Sequence, residues 1–129
     1  MPQRTPTARV RFADASAVFC GGALGTMARA IVIPDAQPIG VFVVNLVGAF
    51  LLGVVVGALL RIATSHRAAR WRLFLGTGLL GGFTTYSAFA VIATEPGWLW
   101  RAAAVAVAGP PLAFVGILTT RPRRVGGDG

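Results

Sequence analysis

A chain of 129 residues that is 55% hydrophobic and only 12% charged, with a mean hydropathy of +0.72, is too apolar for a soluble domain, in which about a quarter of residues are charged. Its formal net charge is +8 and every basic residue is an arginine. No aromatic-interleaved basic patch, zinc-finger spacing or Gly-rich phosphate loop accompanies that charge, which argues against a nucleic-acid partner and for a protein of the bilayer. The lone Cys20 allows no internal disulfide and is expected to pack as a small apolar residue.

In chain order, residues 1–12 form a basic tail with Arg4, Arg9 and Arg11. The apolar run behind it is as long as a membrane span and lacks a clear small-residue cleavage site, so it reads as a retained first helix rather than a signal peptide. The arginines then mark the cytoplasmic end. A first span over 13–33 rises about 30 Å. Gly21 and Gly25 give it a small-xxx-small face for close helix packing. Arg29 lies deep in this span, where a guanidinium must snorkel, pair or line water. Two roles stay open for it, an interfacial anchor and a place at an anion vestibule.

The turn through Pro34, Asp35 and Pro38 leads to a second span over 39–60, whose one strongly polar residue is Asn45. A buried asparagine is either interhelical glue, worth about 1 kcal/mol in a membrane, or an amide donor lining an anion path. Residues 61–72 read as a loop carrying Arg61, Arg67, Arg70 and Arg72 with His66, a histidine with no nearby second ligand and hence a solvated side chain.

The third span, 73–94, holds the stretch Gly81-Gly82-Phe83-Thr84-Thr85-Tyr86-Ser87-Ala88-Phe89. Four glycines, Gly76, Gly78, Gly81 and Gly82, weaken the helix there, each by about 1 kcal/mol relative to alanine. Thr84, Thr85 and Ser87 place hydroxyls at membrane depth, where unpaired polar groups are costly. Together they predict a broken helix whose carbonyls and hydroxyls face an ion. Oxygens of that kind suit a small hard cation. Tyr86 and Phe89, three apart, share a face; they read as a core aromatic pair or as rings whose positive edges tolerate an anion. An external turn with Glu95, Pro96 and Gly97 precedes Trp98 and Trp100, which suit the headgroup level. The fourth span covers 99–119, with a kink expected at Pro110 and Pro111. A basic disordered tail occupies 121–129. The four-helix membrane domain is thus 13–120.

The acids Asp14, Asp35, Glu95 and Asp128 all lie at or beyond span ends. A small multidrug exporter, which needs a membrane-embedded carboxylate, is therefore disfavoured. No acid/base pair, nucleophile with a base, or metal cluster suggests an enzyme.

Several pieces, in this order, carry a resemblance: Gly21-Gly22-Ala23-Leu24-Gly25 with Arg29, then Asn45-Leu46-Val47-Gly48-Ala49-Phe50, then Gly76-Thr77-Gly78 with Gly81-Gly82-Phe83-Thr84-Thr85-Tyr86-Ser87. Over nearly its whole length the chain resembles the small bacterial fluoride channels of the CrcB or Fluc family. The resemblance implies an all-α fold of four transmembrane helices with a broken third helix, paired as an antiparallel dimer with two pores. It implies passive export of toxic fluoride from the cytoplasm across the inner membrane. It also implies a structural Na⁺ held by the main-chain carbonyls of Gly81 and Thr84, and an anion path along Asn45, Tyr86 and Phe89, to which the hydroxyls of Thr85 and Ser87 could add close donors in place of water. The family usually has phenylalanine where Tyr86 stands, threonine or serine where Ala88 stands, and polar groups in a fourth helix that here offers only Ala, Val, Gly and Pro around Gly109.

With four spans, both termini and the middle loop share one side. That side holds ten of the twelve arginines; the other holds only Arg101. Such a bias fixes one orientation with both termini cytoplasmic. An antiparallel partner is then expected to be a related subunit of opposite bias rather than an identical copy. The thin polar track of the fourth helix keeps an accessory, non-conducting subunit as the alternative function.

Overall fold

The computed structural model describes residues 8–59 and 66–120. All regular structure in that range is helical: α1 (Ala8–Val32), α2 (Pro38–Leu59), α3 (His66–Arg72), a π-helical stretch (Leu73–Leu80), α4 (Gly81–Phe83), α5 (Tyr86–Thr94) and α6 (Leu99–Thr119). Four segments are long and apolar enough to cross a bilayer: Arg11–Val32, Pro38–Leu59, His66–Thr94 and Leu99–Thr119.

The second and fourth segments fall within one residue of the sequence expectation. The first and third extend further than expected. Residues 8–12 continue α1 instead of forming a tail, and residues 66–72 form α3 instead of a loop, because arginine is a good helix former whose charged head reaches water from the end of a span. Arg61 of the expected loop and the expected tail at 121–129 lie outside the described residues. Cys20 is exposed on the surface of the single chain rather than packed.

The helices pack as two glycine-seamed pairs. A Cβ on Gly21 would collide with the Phe74 carbonyl, and one on Gly25 with the Leu79 carbonyl. From the other side, Gly78 abuts the Val18 carbonyl and Gly82 the Gly22 carbonyl. Small residues therefore let the backbones of α1 and the third span touch, as the small-xxx-small reading requires. In the second pair, Gly53 of α2 meets the Ala113 carbonyl of α6, and Gly116 of α6 meets the Phe50 carbonyl of α2.

Near the two short turns the core is filled by Val41, Phe42, Ile92 and Ala102, with Phe89 and Trp98 packed against them. The Phe42 ring takes Phe89 edge-on and Trp98 at a tilt, each with centroids 5.8 Å apart. Ala36, in the first turn, has φ = +46°, a left-handed conformation that costs a side-chain-bearing residue about 1 to 2 kcal/mol. Large apolar side chains such as Phe19, Ile31 and Val107 point outward, the inverse of a soluble protein and the pattern that lipid or a partner helix rewards.

Candidate functional site

The third span stops being helical at two residues. Thr84 (φ −74°, ψ 158°) and Thr85 (φ −141°, ψ 115°) are extended. The four glycines expected to weaken the helix are themselves helical; the opening falls just beyond them. The last regular bond runs from the Thr84 N–H to the Leu80 carbonyl, 2.9 Å.

Side chains replace the lost backbone partners. The Thr85 N–H donates to Asn45 Oδ1 at 2.8 Å, and Asn45 Nδ2 donates back to the Thr85 carbonyl at 3.1 Å. The Ala88 N–H donates to Thr85 Oγ1 at 3.3 Å, which makes Thr85 the N-cap of α5. Thr84 Oγ1 donates to the Leu80 carbonyl at 2.9 Å. From α1, Arg29 Nη1 donates to the Thr84 carbonyl and Thr26 Oγ1 to the Gly82 carbonyl, both at 3.4 Å. The opening is thus held by α2 on one side and α1 on the other.

Each residue singled out in the sequence now has a place. Asn45 acts as glue, as one of its two readings held, and its amide keeps one N–H beyond the bond to Thr85. Thr85 is 7% exposed and committed to capping. Tyr86 is 84% exposed, so the pairing of Tyr86 and Phe89 as a buried aromatic core does not form. Ser87 is exposed, its Oγ 3.4 Å from Thr85 Oγ1. Arg29 is half-buried and turned toward the break through its contact with the Thr84 carbonyl. Gly81 is exposed at the start of α4. Its carbonyl loses its usual partner four residues on, because the Thr85 N–H goes to Asn45, and it receives only Thr84 Oγ1 at 3.4 Å.

A cavity of about 310 Å³ opens onto this break, lined by Asn45, Thr84, Thr85, Tyr86, Phe89 and, on α6, Val105, Ala106 and Gly109. Its floor is polar and its walls are aromatic and aliphatic. Ser87 is not among its lining residues. The α6 wall falls around Gly109, where the resemblance expects polar groups and this chain has only small apolar residues. The π-helix at Leu73–Leu80 was not expected from the sequence; it carries Gly78, which seats closely against Gly21 of α1.

The oxygen set at the break suits a hard cation in kind, being main-chain carbonyls and a hydroxyl. One chain offers the under-used Gly81 carbonyl and the Thr84 carbonyl shared with Arg29. Among the described residues no group of three His, Cys, Asp or Glu could hold a metal.

Fold and site define a class: a multi-pass α-helical membrane protein with a side-chain-held break opening on a cavity of polar, aromatic and aliphatic residues. The family described as "CrcB-like protein, Camphor Resistance (CrcB)" matches residues 16–120, and the chain belongs to it. The chain is 41% identical over 118 residues to "Fluoride-specific ion channel FluC 1" of Cutibacterium acnes, covering 81% of this chain and 82% of that one. It is 40% identical over 111 residues to "Fluoride-specific ion channel FluC" of Cereibacter sphaeroides, covering 78% and 86%. A shorter match, 54% identical over 80 residues, is to "Fluoride-specific ion channel FluC 2" of Leifsonia xyli subsp. xyli, covering 57% of this chain and 55% of the relative.

Proposed function

We infer that this chain is a subunit of a fluoride-specific ion channel that lets the cytoplasmic anion leave passively, and that it is not an enzyme. The observation that carries the reading is the cavity over the break. There the Asn45 amide, with one N–H to spare beyond its bonds to Thr85, shares a cavity with the rings of Tyr86 and Phe89. Fluoride is small and strongly hydrated, so a selective path must offer close donors in place of water and exclude larger anions by size. The spare Asn45 N–H, the Tyr86 phenol and the ring edges of Tyr86 and Phe89 are groups of that kind. Thr85 and Ser87 remain candidates for the path, although Thr85 is occupied as a cap. Asn45→Asp would put a carboxylate on that path and remove the donor to Thr85. Fluoride efflux from liposomes should then fall to the rate of protein-free vesicles, and unchanged efflux would overturn the assignment.

The finer arrangement is also a proposal. The subunit sits in the inner membrane with both termini cytoplasmic and pairs antiparallel with a related subunit of opposite arginine bias. The Arg70–Asp14 ion pair, 3.4 Å, supports the bias by joining the start of the third span to the start of α1, so their arginines share one end. The numbered names FluC 1 and FluC 2 among its relatives suit a paired arrangement. A C-terminal tag found equally on both faces of the membrane would overturn it. The carbonyls of Gly81 and Thr84 are proposed to hold half of a Na⁺ site that a partner completes; a cation there would help offset the desolvation of a passing anion.

A second reading, an accessory subunit that completes another chain's pore, is favoured by the purely apolar α6 wall at Val105, Ala106 and Gly109. Efflux measured with this subunit alone and with a paralogue separates the two.

A further inference from the structure

A second cavity lies at the arginine-rich end of the third span, sharing no residue with the one over the break. It is about 310 Å³, and Ala17 of α1, Arg67, Arg70 and Trp71 of α3, and Phe74 line it. Trp71 and Phe74 stand perpendicular, at 89° with centroids 5.8 Å apart, and form an apolar wall. Arg70 Nε is tied to Asp14 Oδ1 at 3.4 Å, which steadies the guanidinium at the groove and leaves its two terminal nitrogens. Arg67 is exposed and has no ion pair among the described residues.

The depth of this groove follows from length. The span His66–Thr94 has 29 residues, well beyond the roughly 20 that suffice to cross a bilayer. The hydrocarbon core is only about 30 Å thick, so the first turns of this span emerge into the headgroup layer. A tryptophan at that level is an interfacial anchor. A basic groove between helices at that depth matches an anionic headgroup above acyl chains.

We propose that this groove binds an anionic phospholipid, its phosphate on Arg67 and Arg70 and its upper acyl chain against Trp71, Phe74 and Ala17. Charge complementarity selects the headgroup, because two guanidiniums face a single carboxylate. The mostly apolar lining selects a lipid over a free anion, which would have no use for the indole and phenyl walls.

The test uses the full chain in phosphatidylcholine liposomes doped with either phosphatidylglycerol or phosphatidylcholine brominated on the upper acyl chain. The Trp71 signal is read as the difference between the parent protein and Trp71→Phe. Half-maximal quenching should need at least about fivefold less brominated phosphatidylglycerol than brominated phosphatidylcholine, since one arginine near an anionic surface is worth about that factor. Arg67→Gln with Arg70→Gln should abolish the preference, and the lysine pair should keep it. Should the glutamine pair fail to fold, Ala17→Leu, which narrows the groove with both charges intact, should also abolish it. Equal quenching by the two lipids overturns the proposal, as does a preference that survives Ala17→Leu. Relief of the quenching by millimolar inorganic phosphate would overturn it too, by making this a free-anion site.

Discussion

Two spans carry helix-breaking residues, and they respond in opposite ways. α6 contains Pro110 and Pro111 in its interior and is helical from Leu99 to Thr119. The third span contains no proline, yet opens at Thr84 and Thr85. In a bilayer no water stands by to accept freed backbone groups, so a helix opens only where side chains take over its hydrogen bonds. Around Thr85 the substitutes exist: Asn45 answers both its N–H and its carbonyl, and Thr85 itself answers Ala88. Each proline of α6 deletes one donor, and the segment is nonetheless helical throughout.

That contrast can be attacked in order of expected effect. Asn45→Leu removes both substitutes for Thr85 at once and leaves two buried backbone groups unpaired. Thermal unfolding in detergent should show a loss of about 4 kcal/mol, and a loss below about 1 kcal/mol would mean that the break sustains itself. Pro110→Ala combined with Pro111→Ala restores two donors to an already helical segment. It should stabilise the protein by about 2 kcal/mol with fluoride efflux unchanged; destabilisation would show that α6 depends on the missing bonds. Thr85→Val deletes the cap of α5 while keeping shape, and should cost about 1 kcal/mol in the same assay. The smallest effect is expected away from both spans. Ala36→Gly relieves a positive φ at the first turn and should stabilise by about 0.5 kcal/mol once glycine's own entropy is counted.

The spans were legible because long apolar runs bounded by turn residues have few other uses, and the α6 limits coincide with the apolar stretch. Where arginines continue a helix past the hydrocarbon, at residues 8–12 and 66–72, hydropathy alone places the end too early. The polar patch was legible as an anomaly, but its architecture was not. Glycines Gly78 and Gly82 look like breakers, yet they serve as seats for α1, and packing across helices has no signature along one chain. The pairing of Asn45 with Thr85, forty residues apart, is likewise a tertiary fact. Arg29, expected either as an interfacial anchor or at an anion vestibule, turns toward the Thr84 carbonyl, a contact that only the tertiary structure could reveal.

The clasp between Asn45 and Thr85 has one more outcome. With both ends of its amide engaged by the Thr85 backbone, this side chain is held in one orientation. On the anion path proposed above, discrimination at that point would therefore rest on stiffness rather than on adaptation. Along that path, selectivity would be retuned better at the exposed ring of Tyr86, or at the bare flank of Val105 and Gly109, than at the rivet beneath them.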